Sequence, residues 1–334
     1  MLAMIKNSDI TVVVQGPVVA SPDRAMDEGI TEKCLTSVRH HLPGAHVILS
    51  TWQGQPVEGL DYDELLLNED PGSNITEYTA DGKPDASNNN RQIVSSREGL
   101  KRVKTPYAMK LRSDNYLVGD QFKFLQASFP ERCEEDRFLS ERVVVNNTFT
   151  RAYARSRRVA LHMCDFFYFG RTEDVRALWG MSNLPDLAYD QTRNGQKQYW
   201  GAPHYKIDCT QKLLLVALQQ YDASLNVEHL HDAPDDLIAR SERIYANNFV
   251  IGEPELIGLG LCSKFGPQER ANRLSGRLTY VNFDDWQVLY KKYCDAEFPL
   301  GMAPLRIRKR NFLRAFLLAA KLLEEALKRL KKKA

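Results

Sequence analysis

The 334-residue sequence predicts an α/β protein built on a doubly wound sheet flanked by helices. Three observations lead there. Short, almost wholly apolar runs occur at Ile10 to Val14, Ala45 to Leu49 and Leu65 to Leu67, as in strands covered on both faces. Helical patterns alternate with them. Each run ends in small or polar residues, namely Gln15-Gly16-Pro17, Ser50-Thr51-Trp52 and Asn68 through Gly72. Ligands of open α/β sheets lie outside the carboxyl ends of the strands, so these endings form a nucleotide-binding pattern.

The elements follow in order. Thr31 to His41 reads as a helix stopped by Pro43-Gly44. Pro71 to Asn90 is polar and rich in Gly, Pro and Asn, a loop of the length that usually serves function or is disordered. A helix begins near Asn90, with Ile93, Val94 and Leu100 on one side. After Thr105-Pro106, Tyr107, Met109 and Leu111 alternate as the central strand, which ends in Arg112-Ser113-Asp114-Asn115. Beyond Asp120 the pattern loosens. Phe122 to Phe129 is a short helix, Arg142 to Val145 a strand and His162 to Gly170 an aromatic strand. Arg171 to Trp179 is a helix with Thr172 as N-cap. Pro185 to Pro203 is a polar loop, and Asp208 caps a helix running through Leu218. His229-Leu230-His231-Asp232 follows a short strand, Asn247 to Ile251 is a late strand, and Trp286 to Tyr293 is a helix.

Composition removes several function classes. Net charge is +2, but about eleven basic residues against two acidic ones fall after Leu305, leaving the rest near −7. A uniformly basic nucleic-acid surface is thereby excluded, and a separate basic tail is implied. Six cysteines are scattered without a CxxC pair, which fits reduced thiols in the cytoplasm and no zinc module. No run approaches the ~20 apolar residues of a spanning helix, and Ile10 to Val14 is too short for a signal-peptide core. GxxxxGK[ST], GxSxG and HExxH are missing, and Gly258-Leu259-Gly260 lacks the third glycine of a dinucleotide fingerprint.

The candidate site gathers at the strand ends. Asp114 can reach a metal or a sugar hydroxyl, with Asn115 beside it, while Arg112 and Arg91 can pair phosphates. Gln15, Gly16, Ser50 and Thr51 would surround a nucleoside. Asp165, between Cys164 and Phe166, is expected to be a half-buried carboxylate with a raised pKa, a candidate general base. Asp208 is a second candidate, set against its simpler role as a helix cap. Arg155 and Arg158, with Arg151 and Arg157, would attract an anionic acceptor. His229 and His231 share one face of a strand and, with Asp114, suggest a divalent-metal set. The plain structural readings are an Asx turn at Asp114 and surface ion pairs at the arginines.

In the tail, Leu313, Phe316, Leu317, Ala320, Leu323, Leu327 and Leu330 recur at helical spacing between basic clusters. Residues 306–334 are expected to form a basic amphipathic helix on an anionic membrane surface. The alternative is a helix packed on its own domain or on another copy in a homo-oligomer.

Taken in order, Gln15-Gly16-Pro17, Leu49 to Trp52, Leu67-Asn68, Asp70-Pro71-Gly72, Asn90 to Val94, Met109 to Asn115, Asp165 to Gly170 and Asn247 to Val250 resemble the WavE lipopolysaccharide-synthesis family. The resemblance spans Ile10 to Phe265. It implies a glycosyltransferase-like protein of bacterial surface-polysaccharide assembly with a GT-A-like fold, here over residues 1–305. The donor would be a nucleotide-sugar and the acceptor a lipid-linked, lipopolysaccharide or capsule glycan at the inner face of the cytoplasmic membrane. In such folds a carboxylate motif holds a divalent ion, Mn or Mg, on the donor pyrophosphate. Arg112-Ser113-Asp114 would be that motif, with one acid. A non-catalytic scaffold of the same fold and a nucleotidyltransferase are the alternatives.

Overall fold

The computed structural model describes residues 5–22, 24–79, 82–154, 157–189, 207–265 and 274–316. The expectation for Arg155, most of the Pro185 to Pro203 loop and the tail after residue 316 lie outside the described residues. The chain opens with β1 (Ile10–Gln15), α1 (Ile30–His41), β2 (His46–Trp52) and β3 (Glu64–Asn68). A hairpin, β4 (Asn74–Tyr78) and β5 (Pro84–Ser87), precedes α2 (Asn89–Arg102), β6 (Tyr107–Arg112) and β7 (Asn115–Leu117). Next come α3 (Phe122–Ala127), β8 (Val143–Asn146), β9 (Tyr153–Ala154), β10 (Arg157–Arg158), β11 (Phe167–Arg171) and α4 (Thr172–Trp179). The last described elements are α5 (Cys209–Gln219), α6 (Asp235–Asn248), β12 (Phe249–Gly252), α7 (Pro254–Ile257), β13 (Leu259–Leu261), α8 (Leu274–Arg277), α9 (Phe283–Tyr293) and α10 (303–316).

Seven strands form one sheet in the order β3-β2-β1-β6-β11-β8-β12. Neighbours are parallel except at β11, which runs antiparallel to β6 and β8. All six residues of β1 are buried, as its unbroken apolar run requires. Helix α2 sits close on the sheet because Gly99 has no side chain. A Cβ there would lie 2.4 Å from a methyl of Val13.

The connectivity fixes the ligand edge. The chain steps outward from β1 to β3, then returns to the other side of β1 at β6. Right-handed crossovers in opposite directions put α1 and α2 on opposite faces. The carboxyl ends of β1 and β6 therefore flank a topological switch point, where a crevice opens.

Several expected elements differ. The Pro71 to Asn90 segment contains the β4–β5 hairpin, in which Asn74 to Tyr78 pairs with Pro84 to Ser87 across an irregularity between Ile75 and Glu77. Only the second half of His162 to Gly170 is strand, since pairing with β6 begins at Phe167. Arg171, not Thr172, is the N-cap of α4, and the Thr172 hydroxyl donates to the Thr105 carbonyl. No strand precedes His229, which lies in a turn closed by Asp232 N–H onto its carbonyl. Asn247 and Asn248 end α6, and their side chains hold the Cys133 to Leu139 segment. The boundary expected between 305 and 306 falls inside α10.

Candidate functional site

Three strand ends are stitched together at the switch point. Gly16 N–H donates to the Ser50 carbonyl at 3.2 Å, and Ser113 N–H to the Gln15 carbonyl at 2.9 Å. The Ser113 hydroxyl donates to the Pro17 carbonyl at 2.7 Å. Gly16 has φ +121°, and a Cβ there would stand 2.8 Å from the Ser113 hydroxyl. Glycine is needed on both counts. A cavity of about 230 Å³ opens here, walled by Gln15, Gly16, Arg24, Trp52, Asp70 and Arg91 among others. Arg91, in the first turn of α2, donates to both Asp70 oxygens at 2.8 and 2.9 Å and to Asn88 at 2.7 Å. The Gln15 amide oxygen accepts from the Ser95 hydroxyl at 2.7 Å.

Behind the cavity lies a buried ionic network. Asp114 accepts from Arg112 at 3.0 and 2.8 Å, from Arg24 at 2.9 Å and from Lys264 at 2.8 Å. Arg112 also donates to Asp165 at 3.1 Å, with its guanidinium 4.5 Å from the Phe166 ring centroid. Burial would raise the Asp114 pKa, but the charges of Arg112, Arg24 and Lys264 outweigh it and hold the carboxyl well below the usual range. Lys110, on the same face of β6 as Arg112, is fully buried. Its ammonium donates to the Asp165 carbonyl and stands 4.0 Å over the Trp179 ring. Burial pushes its pKa down to about 7.

Of the residues singled out in the sequence, Gln15, Gly16 and Arg91 line the cavity, and Arg112 and Asp114 form the network behind it. Ser50 and Thr51 are fully buried, and Trp52 supplies the β2 wall instead. Asn115 is buried in β7 opposite Leu261 and does not line the cavity. Asp165 is buried, but its expected apolar setting is broken by the Arg112 guanidinium, so it is a paired anion. Asp208 caps α5, accepting from Thr210 N–H at 3.1 Å. Burial pushes its pKa up, yet His162 and Thr210 more than offset this and bring it below the ordinary value, which makes it a weak base. Arg158 is paired with Glu242 at 2.6 Å and lines a different cavity, together with Arg151 and Arg314.

The donor set does not fit a divalent ion as arranged. Asp114 already faces three cations, and among the described residues no group of three His, Cys, Asp or Glu is placed to hold a metal, so His229 and His231 join Asp114 in none. Arg24 and Lys264 escaped sequence reading. They lie 90 and 150 residues from Asp114, and no local spacing connects them to it.

Fold and cleft together define an α/β protein with a charged crevice at the switch point of its sheet. The model for WavE lipopolysaccharide synthesis matches residues 10–315, and the chain belongs to that family. Among solved structures, it is similar to a 4-diphosphocytidyl-2C-methyl-D-erythritol synthase from Anaerococcus prevotii, at 10% identity and a TM-score of 0.30, covering 66% of this chain and 86% of that one. It is also similar to HddC from Yersinia pseudotuberculosis complexed with GMP-PN, at 8% identity and a TM-score of 0.29, covering 50% of this chain and 78% of that one. Neither likeness bears on chemistry. No curated protein matches the chain. Among the described residues no helix is long and apolar enough to cross a membrane.

Proposed function

We propose that this chain transfers a sugar from a nucleotide-sugar donor to a lipid-linked or lipopolysaccharide glycan. The observation that carries the reading is the crevice where Gly16, Arg24 and Arg91 meet the cations around Asp114. The nucleoside lies between the ends of β1 and β2, against Trp52. The diphosphate lies toward Arg24, beside which Arg112, Lys264 and Arg24 outnumber Asp114 and Asp165 by one charge. Negative charge grows on the leaving phosphate oxygen as the glycosidic bond breaks, and fixed cations in a dry setting stabilise it strongly. No step needs a metal at Asp114.

The acceptor end involves the membrane. In α10, Leu305, Phe312 and Phe316 are 59%, 72% and 66% exposed and fall on one line of the helix. Arg308 and Lys309 flank that line and are exposed. Such a face adsorbs to anionic lipid, each base adding about 1 kcal/mol. Arg151, Arg158 and Arg314 lie close by in their own cavity, where an anionic lipid-linked acceptor can be held.

The reading is tested by incubating the protein with UDP-, GDP-, CMP- and dTDP-sugars and membrane glycolipid extract. Release of a nucleoside mono- or diphosphate with labelling of the glycolipid is expected. Pyrophosphate release from a nucleoside triphosphate and a sugar phosphate would replace the reading with nucleotidyl transfer. Binding of none of these would leave a scaffold.

A further inference from the structure

A second cavity, of about 240 Å³, is lined by Asn147, Thr148, Glu253, Phe265, Arg277 and Tyr280, among others. Phe265 joins it to the ionic network. Its ring packs 4.5 Å from that of Phe166 and lies 5.7 Å from the Arg112 guanidinium, and its neighbour Lys264 holds Asp114. Strands β8 and β12 run parallel to β6, so their carboxyl ends share the sheet edge with the donor crevice. With about 4.8 Å between strands, the end of β8 lies roughly 14 Å from that of β1. A donor with its nucleoside at β1 and its diphosphate at β6 would point its sugar this way.

We propose that this second cavity is the subsite for the acceptor sugar and that Glu253 is the base that takes the acceptor proton. The proposal rests on the glycosyl-transfer reading and names the part of the site that reading leaves open. Glu253 follows directly on β12 and is half-buried. Both its oxygens accept from Phe283 N–H, at 3.2 and 3.4 Å. It forms no ion pair with any described residue, whereas Asp165 and Asp208 are each tied to a cation or a histidine. The charged groups around it are Asp284 and Asp285 on α9, Arg306 and Arg310 on α10 (held by Asp284 and Asp285), and the Glu255–Arg277 pair at 3.8 Å. Burial first, then Asp284 and Asp285, raises its pKa above the ordinary glutamate value. That makes it a stronger base than an ordinary glutamate. Phe265 and Tyr280 give the cavity apolar faces, with Asn147, Thr148 and Arg277 as polar partners, as in a sugar-sized pocket.

In the step, the acceptor O–H gives its proton to the Glu253 carboxylate. The acceptor oxygen bonds to the anomeric carbon of the donor. The bond from that carbon to the phosphate oxygen breaks, and its electron pair leaves with the nucleotide.

The test has two arms. In the first, saturation-transfer NMR with methyl glycosides of glucose, galactose and mannose needs no donor. At least one glycoside should bind wild type, and bind at least tenfold more weakly to Phe265→Ala that remains folded by thermal melt. No binding to wild type, or undiminished binding to Phe265→Ala, overturns the subsite. In the second arm, nucleotide release from the nucleotide-sugar panel is followed with the bound glycoside as acceptor. Glu253→Gln should keep donor affinity within twofold, lose at least 100-fold in acceptor-stimulated release, and lose the rising limb of the pH profile. Unchanged stimulated release or an unchanged limb overturns the base. If wild type releases no nucleotide from any donor, the glycosyl-transfer reading and the base assignment fall together, and the first arm still decides the saccharide subsite.

Discussion

Among the described residues, Asp114 is the only anion with which Arg24, Lys264 and Arg112 all form ion pairs, and it is fully buried. Read from sequence, Asp114→Asn would remove charge and leave the fold intact. The structure changes that expectation, because the substitution leaves three cations facing one another in a dry site. Breaking a buried pair of this kind costs about 3–5 kcal/mol. Urea denaturation of Asp114→Asn should show that loss together with loss of turnover, and a variant as stable as wild type contradicts the network. The pH sign follows from the lowered pKa. An unfolded aspartate titrates near about 3.9, so this contribution is present above that value and lost as pH falls through the lower folded one. Lys110 acts in the same sense over a higher pH window. Unfolded lysine titrates near about 10.4, whereas burial brings Lys110 down to about 7. Between those values the folded state binds fewer protons, so stability rises with pH by up to about 1.4 kcal/mol per unit. Lys110→Met should remove that rise between pH 7 and 9.5, and an identical slope in both proteins would sink the assignment.

At the scale of elements, periodicity and strand-end chemistry exposed the first half of the fold. β1, β2 and β3 are short apolar runs and β6 an alternating one, all closed by polar residues, and each is found where the sequence puts it, within three residues. The same signals pointed to Gln15, Gly16 and Arg91, because a switch point needs a glycine and polar strand ends. What stayed hidden was long-range. Nothing local to Lys264 says that it reaches Asp114, and Asp165 could not be seen as a paired anion without knowing that Phe166 to Arg171 returns antiparallel along β6. The stripe read in the tail begins at Leu313, yet in α10 the exposed line is Leu305, Phe312 and Phe316. The inward positions are taken by Arg310, paired with Asp285, and Arg314, 4.1 Å over Tyr153. That docking comes from partners far away in sequence. Leu305→Glu/Phe312→Glu/Phe316→Glu should detach the protein from anionic vesicles at low salt while its thermal melt stays within a few degrees of wild type. Retained vesicle binding would reject the outward line as the contact.

Across the whole molecule, one sheet edge carries both cavities, with the ionic network between them. A rigid charged centre flanked by two pockets suits transfer between two bound substrates, because it orients both and needs little rearrangement when charge develops. Glycosyl transfer by this chain requires a donor bound in the switch-point crevice. The most direct test of this requirement is equilibrium titration of the full chain with UDP-, GDP-, CMP- and dTDP-sugars, alongside Arg91→Ala. One donor should bind wild type, and Arg91→Ala should weaken that binding at least tenfold without lowering thermal stability. No binding by any donor, or equal affinity in Arg91→Ala, would contradict the assignment of the switch-point crevice as the nucleotide-sugar site.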